Sequence, residues 1–105
     1  MRLLITGSRD YGDYDAMIIM LKNIYEHAGG EVITLVLPHR DGACGIAYEI
    51  AEAGPDVGFE WEQATSHSLE TVDSVWGWFW HGEQTDCWVD RALELGVGVM
   101  AFSSG

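Results

Sequence analysis

The chain has 105 residues, a length that suits one small domain able to bury roughly two-thirds of its unfolded surface. Apolar residues make up 48% of it, with five tryptophans, which excludes a disordered chain. A net charge of −12 with only five basic residues excludes the electrostatic footprint of a nucleic-acid binder, which must neutralise phosphates.

The same charge keeps a small protein soluble through like-charge repulsion. Its other reading is an acidic surface aimed at a basic partner, although the acids are spread along the chain rather than run together. No stretch nears the ~18 continuous apolar residues of a membrane span, and the N-terminus lacks the basic region and cleavage site of a signal peptide. The expectation is a cytoplasmic protein with no membrane contact. Cys44 and Cys87 stand in no Cys-x-x-Cys pair and are expected reduced and partly buried.

The chain opens on MRLLITGSRDY. Leu3, Leu4 and Ile5 read as a buried strand that passes through Thr6-Gly7-Ser8-Arg9-Asp10 towards a helix. A strand turning through glycine onto a helix start presents unpaired N–H groups under a positive dipole, a ready place for phosphate. Arg9 would add a bidentate contact. The alternative is a plain tight turn at Gly7-Ser8, with Arg9 paired to a local aspartate.

Tyr14–Ala28 carries apolar residues at 17, 18, 21, 24, 25 and 28, the period of a helix facing a core. Asp13 suits its N-cap and Gly29-Gly30 its stop. Val32–Leu37 is a β-branched run closed by Pro38, hence a short buried strand. After the polar loop His39-Arg40-Asp41-Gly42, the stripe Ala43, Ile46, Ala47, Ile50, Ala51 predicts a second helix ending at Gly54-Pro55. Val57, Phe59 and Trp61 alternate with Gly58, Glu60 and Glu62, the pattern of a strand with one covered face.

Between residues 62 and 84 the pattern loosens. Thr65, Ser66 and Ser68 are loop or cap residues, and Val75-Trp76-Gly77-Trp78-Phe79-Trp80 sets four aromatics in six positions. Thr85 or Asp86 caps a last helix with Trp88, Val89, Ala92, Leu93 and Leu95, and Val97–Phe102 is the fourth strand. The order β-α-β-α-β-α-β predicts an α/β, Rossmann-like fold: a mostly parallel sheet of about four strands with flanking helices, in one domain.

With these elements placed, the sequence resembles the SLOG superfamily of Rossmann-like nucleotide-binding domains, and within it the small YspA-like group found in phages and bacteria. MRLLITGSRDY is similar to that group's first strand and glycine turn. Gly42-Ala43-Cys44-Gly45-Ile46-Ala47 resembles its second-helix signature, and Gly96–Phe102 its strand leading to a second glycine loop. The resemblance implies a nucleotide or nucleotide-derived ligand across the carboxyl ends of the strands. Carried over, Gly7, Ser8 and Arg9 fall on its first turn and Gly42 and Ala43 on its second, with Arg40 beside them.

Departures accompany the match. His39 is followed by Arg40-Asp41 where the group has two glycines, Cys44 stands for an aspartate, and an Arg-Asn pair expected early in the last helix has no counterpart. The group also continues past Phe102, so the resemblance implies a C-terminally shortened copy lacking a fifth strand and the helix behind the second phosphate loop.

For chemistry, Cys44 at a helix start is a position that lowers a thiol pKa, and with His39 five residues earlier it forms a conceivable nucleophile pair. The other reading is a small semi-buried residue. Asp10 and Asp41 are candidate acids or bases for a nucleotide or phosphoribosyl hydrolase-like reaction, although binding fits better than turnover. Glu60/Glu62 and Asp13/Asp15 read as solvated faces. His39, His67, His81, Cys44 and Cys87 show no metal-ligand spacing, so no metal or other cofactor is identified.

Part of the cluster Trp76, Trp78, Phe79 and Trp80 is expected at an interface, because so many rings are hard to bury in so small a chain. A sheet edge left open points the same way, to a homo-oligomer. The leading expectation is a nucleotide-binding domain using Gly7-Ser8-Arg9. Its rival is a ligand-free, phage-encoded acidic module that binds itself or a host protein.

Overall fold

The structure is a computed structural model that describes residues 1–53, 58–80 and 85–104. The helix stop expected at Gly54-Pro55, Val57 of the third strand, and His81 lie outside these residues. The elements are β1 (Arg2–Gly7), α1 (Tyr14–His27), β2 (Ile33–Leu37), α2 (Gly42–Glu52), β3 (Phe59–Gln63), a short 3-10 turn at Ser68–Glu70, β4 (Ser74–Trp80), α3 (Cys87–Leu95) and β5 (Val99–Ser104). The five strands form one sheet in the order β3-β2-β1-β4-β5, and every pairing is parallel. This is an α/β, Rossmann-like fold. No helix among the described residues is long and apolar enough to cross a membrane.

Alternation along each strand splits the core in two. Leu3, Ile5, Leu35, Leu37 and Phe59 share one face with Met17 and Leu21 of α1 and Ala43, Ala47 and Ile50 of α2. Leu4, Val36, Val75 and Phe79 face the other way, onto Leu69 and onto Val89 and Ala92 of α3. The helix ends follow their capping residues. The Asp13 side chain accepts from the Ala16 amide at 3.0 Å, and Asp86, rather than Thr85, caps α3 by accepting from the Val89 amide at 3.0 Å. Gly96 ends α3 in the left-handed region at φ 75°.

The sheet has one strand more than the sequence pattern placed. β4 carries the aromatic cluster in the middle of the sheet, paired to β1 on one side and β5 on the other. Both of its faces are apolar, so it lacks the polar–apolar alternation that would announce a strand. The strand expected as the fourth is β5 (Val99–Ser104), and the added strand is β4, upstream of it.

β4 also corrects the expected interface. Trp78 is 1% exposed, Phe79 0% and Trp76 5%, so these rings form core rather than an apolar surface patch. Trp78 stacks on Phe102 of β5 with centroids 4.2 Å apart, and Tyr11 meets the half-buried Trp80 edge-on at 5.1 Å. Gly77 makes room for this, since a Cβ there would run into the Phe79 ring and Val89.

The tightest point lies where β1 ends. Gly7 pairs with Trp78 across the sheet at φ 149°, and a Cβ would overlap the Trp78 carbonyl. Backbone conformation and space both demand glycine. Gly7→Ala is expected to lower stability by about 3 kcal/mol or more, read as a fall in the urea midpoint at unchanged m-value.

Candidate functional site

The strand order reverses at β1: the chain leaves it towards β2 on one side, and β4 lies on the other. In open parallel sheets this switch point, at the carboxyl ends of the strands, is where a crevice opens. Here it is a hollow of about 580 Å³, within the size range of small-molecule sites. The end of β1 supplies Thr6, Gly7 and Ser8, followed by Arg9 and Asp10. The loop after β2 supplies His39, and the start of α3 supplies Asp86, Cys87 and Trp88.

The Gly7-Ser8 turn, expected to hold phosphate, is closed on itself. The Ser8 amide donates to the Trp78 carbonyl at 3.0 Å, and the Ser8 carbonyl accepts from the amides of Tyr11 at 3.2 Å and Ala43 at 3.3 Å. Its hydroxyl oxygen accepts from the Trp80 amide at 2.9 Å. Ser8 is buried, and this bonding is its role. Gly42 and Ala43, expected opposite the ligand, serve the same junction. Gly42 sits at φ 51°, where a Cβ would overlap the Ser8 carbonyl. Neither lines the crevice, though Gly42 borders a shallower hollow beside it with Asp10, Arg40 and Asp41.

The two arginines are also engaged. Arg9 pairs with Asp41 at 2.8 Å, both side chains largely exposed, the local pairing raised as the alternative for it. Arg40 lies with its guanidinium 4.5 Å from the Tyr48 ring centre and 4.4 Å from that of Trp61, a double cation–π contact. The Trp61 indole in turn donates to Glu52 at 2.6 Å. This stack anchors the β2–α2 loop rather than reaching the crevice.

Cys44 is not an activated nucleophile. Its side chain turns inward, its thiol donates to the Ile5 carbonyl at 3.1 Å, and burial pushes its pKa up to about 12. The helix N-terminus loses to desolvation because the sulfur sits under the sheet rather than at the helix mouth. His39 stands 3.8 Å from this sulfur through Nε2, while its Nδ1 accepts from the Asp41 amide at 3.2 Å. An accepting Nδ1 requires the Nε2–H tautomer. Burial, then the nearby Arg9 charge, lower the His39 pKa against the opposing pull of Asp41 and Asp86.

Asp86 is the residue the sequence named only as a cap. One of its carboxylate oxygens caps α3 at Val89, and the other accepts from the buried Thr6 hydroxyl at 2.5 Å, a short charge-assisted bond. Trp88 stands half-buried beside it, packed on the second core, and Cys87 is exposed. Asp10 is exposed at the rim. Among the described residues no three His, Cys, Asp or Glu side chains gather closely enough to hold a metal ion.

Compared with models of protein families, with curated proteins and with solved structures, the chain finds no match in any of the three.

Two outcomes follow from the thiol and the imidazole. At pH 8, a thiol with a pKa near 12 is ionised to roughly one part in ten thousand. Iodoacetamide is therefore expected to alkylate Cys87 in the folded protein and reach Cys44 only in urea, as mass spectrometry would show; equal labelling of both in the native state refutes the assignment. For His39 the folded pKa lies below the unfolded value of about 6.5, so between them the unfolded chain binds the extra proton. Stability is then full above that value and falls as pH drops towards the folded pKa. The urea midpoint should decrease from pH 7.5 to 5.5, with a smaller decrease in His39→Gln.

Proposed function

We propose that this domain binds a small nucleotide-type ligand, a nucleoside or nucleotide derivative, in the crevice at the switch point, and holds rather than transforms it. One observation carries the reading: a hollow of ligand size lies where the strand order reverses, walled by groups of different chemistry from three separate elements. Trp88 offers a ring for stacking, Asp86 a fixed acceptor and His39 a neutral imidazole, with the Arg9–Asp41 pair at the mouth. The resemblance of MRLLITGSRDY to the opening motif of SLOG domains supports the same ligand class.

Binding is favoured over turnover by the state of the reactive groups. Cys44 is buried and protonated, and Asp41 is paired with Arg9. A hydrolase would need a base or nucleophile held ready at the reacting atom. The rival reading, an acidic module that binds itself or a host protein, drew on the aromatic cluster, and the burial of Trp76, Trp78 and Phe79 withdraws that support. The charge of −12, the half-buried Trp80 and the uncharged β5 edge with exposed Met100 remain for it.

Thermal unfolding with adenosine, guanosine, their mono-, di- and triphosphates and ADP-ribose tests the proposal. A ligand at one hundred times its Kd is expected to stabilise the fold by about 2.7 kcal/mol. Trp88→Leu, which keeps an apolar side chain against the core, should weaken that ligand by ~1–3 kcal/mol through lost stacking while circular dichroism stays unchanged. No stabilisation by any of these, together with a tight dimer or a captured partner protein, would sink it.

A further inference from the structure

We infer that the crevice selects its ligand through donated hydroxyls rather than through phosphate: its occupant is an uncharged nucleoside whose neighbouring ribose hydroxyls bond to Asp86 while its base lies against Trp88. This rests on the binding reading above and specifies the ligand.

The argument starts from what holds Asp86. Its carboxylate is fixed between the buried Thr6 hydroxyl at the end of β1 and the Val89 amide in the first turn of α3. Each bond uses one oxygen, and a carboxylate oxygen can accept two. The group therefore faces the crevice as a rigid pair of acceptors, with no donor of its own. A ligand that satisfies it brings two adjacent donors, the arrangement of a vicinal diol.

Several features that would welcome phosphate are engaged within the fold. The start of α3, where a dipole would draw an anion, is occupied by the Asp86 carboxylate itself. The amides of Ser8 and Ala43 donate within the fold. Arg9 is paired with Asp41, Arg40 is stacked between two rings, and burial, then the Arg9 charge, lower the His39 pKa. A phosphate entering this space would meet the charge of Asp86 in the crevice wall. Trp88 stands two residues from Asp86 in the chain and lines the same crevice, so a base on its ring leaves the attached sugar within reach of the carboxylate.

Isothermal titration of the whole chain with adenosine and guanosine, their 2′,3′-dideoxy forms and their 5′-monophosphates decides the matter. At least one nucleoside is expected to bind, with its dideoxy form and its monophosphate each about tenfold weaker or more, as loss of a bond to a charged group implies. Asp86→Asn retains a good N-cap through its amide oxygen and turns its NH2 towards Thr6, whose hydroxyl can accept instead of donate, so the fold should persist by circular dichroism. In it the preference for the diol should shrink and the monophosphate should gain on the nucleoside. A monophosphate binding as tightly as the nucleoside, or a dideoxy form binding equally well, overturns this inference and leaves the binding reading standing. No binding by any of the six overturns this inference; the binding reading falls with it when the di- and triphosphates and ADP-ribose also fail to stabilise the fold and a tight dimer or a captured partner protein is found.

Discussion

At the end of β1 the chain comes so close to β4 that only glycine fits, and the residue after it binds β4 twice. Gly7 lies against the Trp78 carbonyl, the Ser8 amide bonds that same carbonyl, and the Ser8 hydroxyl oxygen takes the Trp80 amide. The Ser8 carbonyl then collects the amides of Tyr11 and Ala43, which brings α2 onto the same turn. One residue thus ties two central strands and a helix together. Buried backbone groups must be paired, and this turn pairs its own. The Ser8 amide and carbonyl are thereby committed within the fold, although the residue is of a type that binds phosphate.

The position of β4 follows from that clasp and explains the distribution of apolar surface. A central strand pressed between two cores can carry tryptophan and phenylalanine at successive positions, each buried on its own face. The sheet's two edges differ instead. β3 alternates Glu60 and Glu62 with Phe59 and Trp61, charge that discourages pairing with another chain. β5 is uncharged over Val99–Ser104, and Met100 is 48% exposed. Remaining apolar exposure in the sheet is concentrated at an edge, away from the aromatic cluster whose composition suggested an interface.

Most elements were legible in the sequence because each obeys a local rule. The period of α1, the Asp13 cap, the glycine stops and the alternation of β3 are all short-range signals, and the parallel α/β class follows from their order. β4 escaped because a strand apolar on both faces has no alternation to show. With β4 unplaced, the start of α3 could not be assigned to the crevice, and Asp86 and Trp88 stayed ordinary cap and core residues. The bonds that define the site are also remote in sequence. Thr6 and Asp86 are 80 residues apart, and Arg40 is captured by Trp61, on a strand two elements later. No periodicity announces such pairs. Cys44 shows the converse: its place at a helix start was read correctly, but whether its sulfur faces the mouth or the sheet depends on packing.

Each helix begins after an aspartate, Asp13, Asp41 and Asp86, and this choice links stability to ligand chemistry. A carboxylate before the first turn complements the macrodipole and satisfies an orphan amide, as Asp13 and Asp86 do directly. Asp41 makes no such side-chain bond and neutralises Arg9 instead. Helices starting at the carboxyl ends of parallel strands put Asp86 in the wall of the crevice and Asp41 in that of the hollow beside it. The dipoles that serve anion binding elsewhere are here answered from within the chain. A ligand that brings negative charge must displace or oppose a carboxylate that the helix already uses, whereas one that brings hydroxyl donors adds to the same network. On the binding reading proposed above, the requirement for stable helix starts pushes the site towards neutral ligands rich in donors, even with no residue retained for that purpose alone.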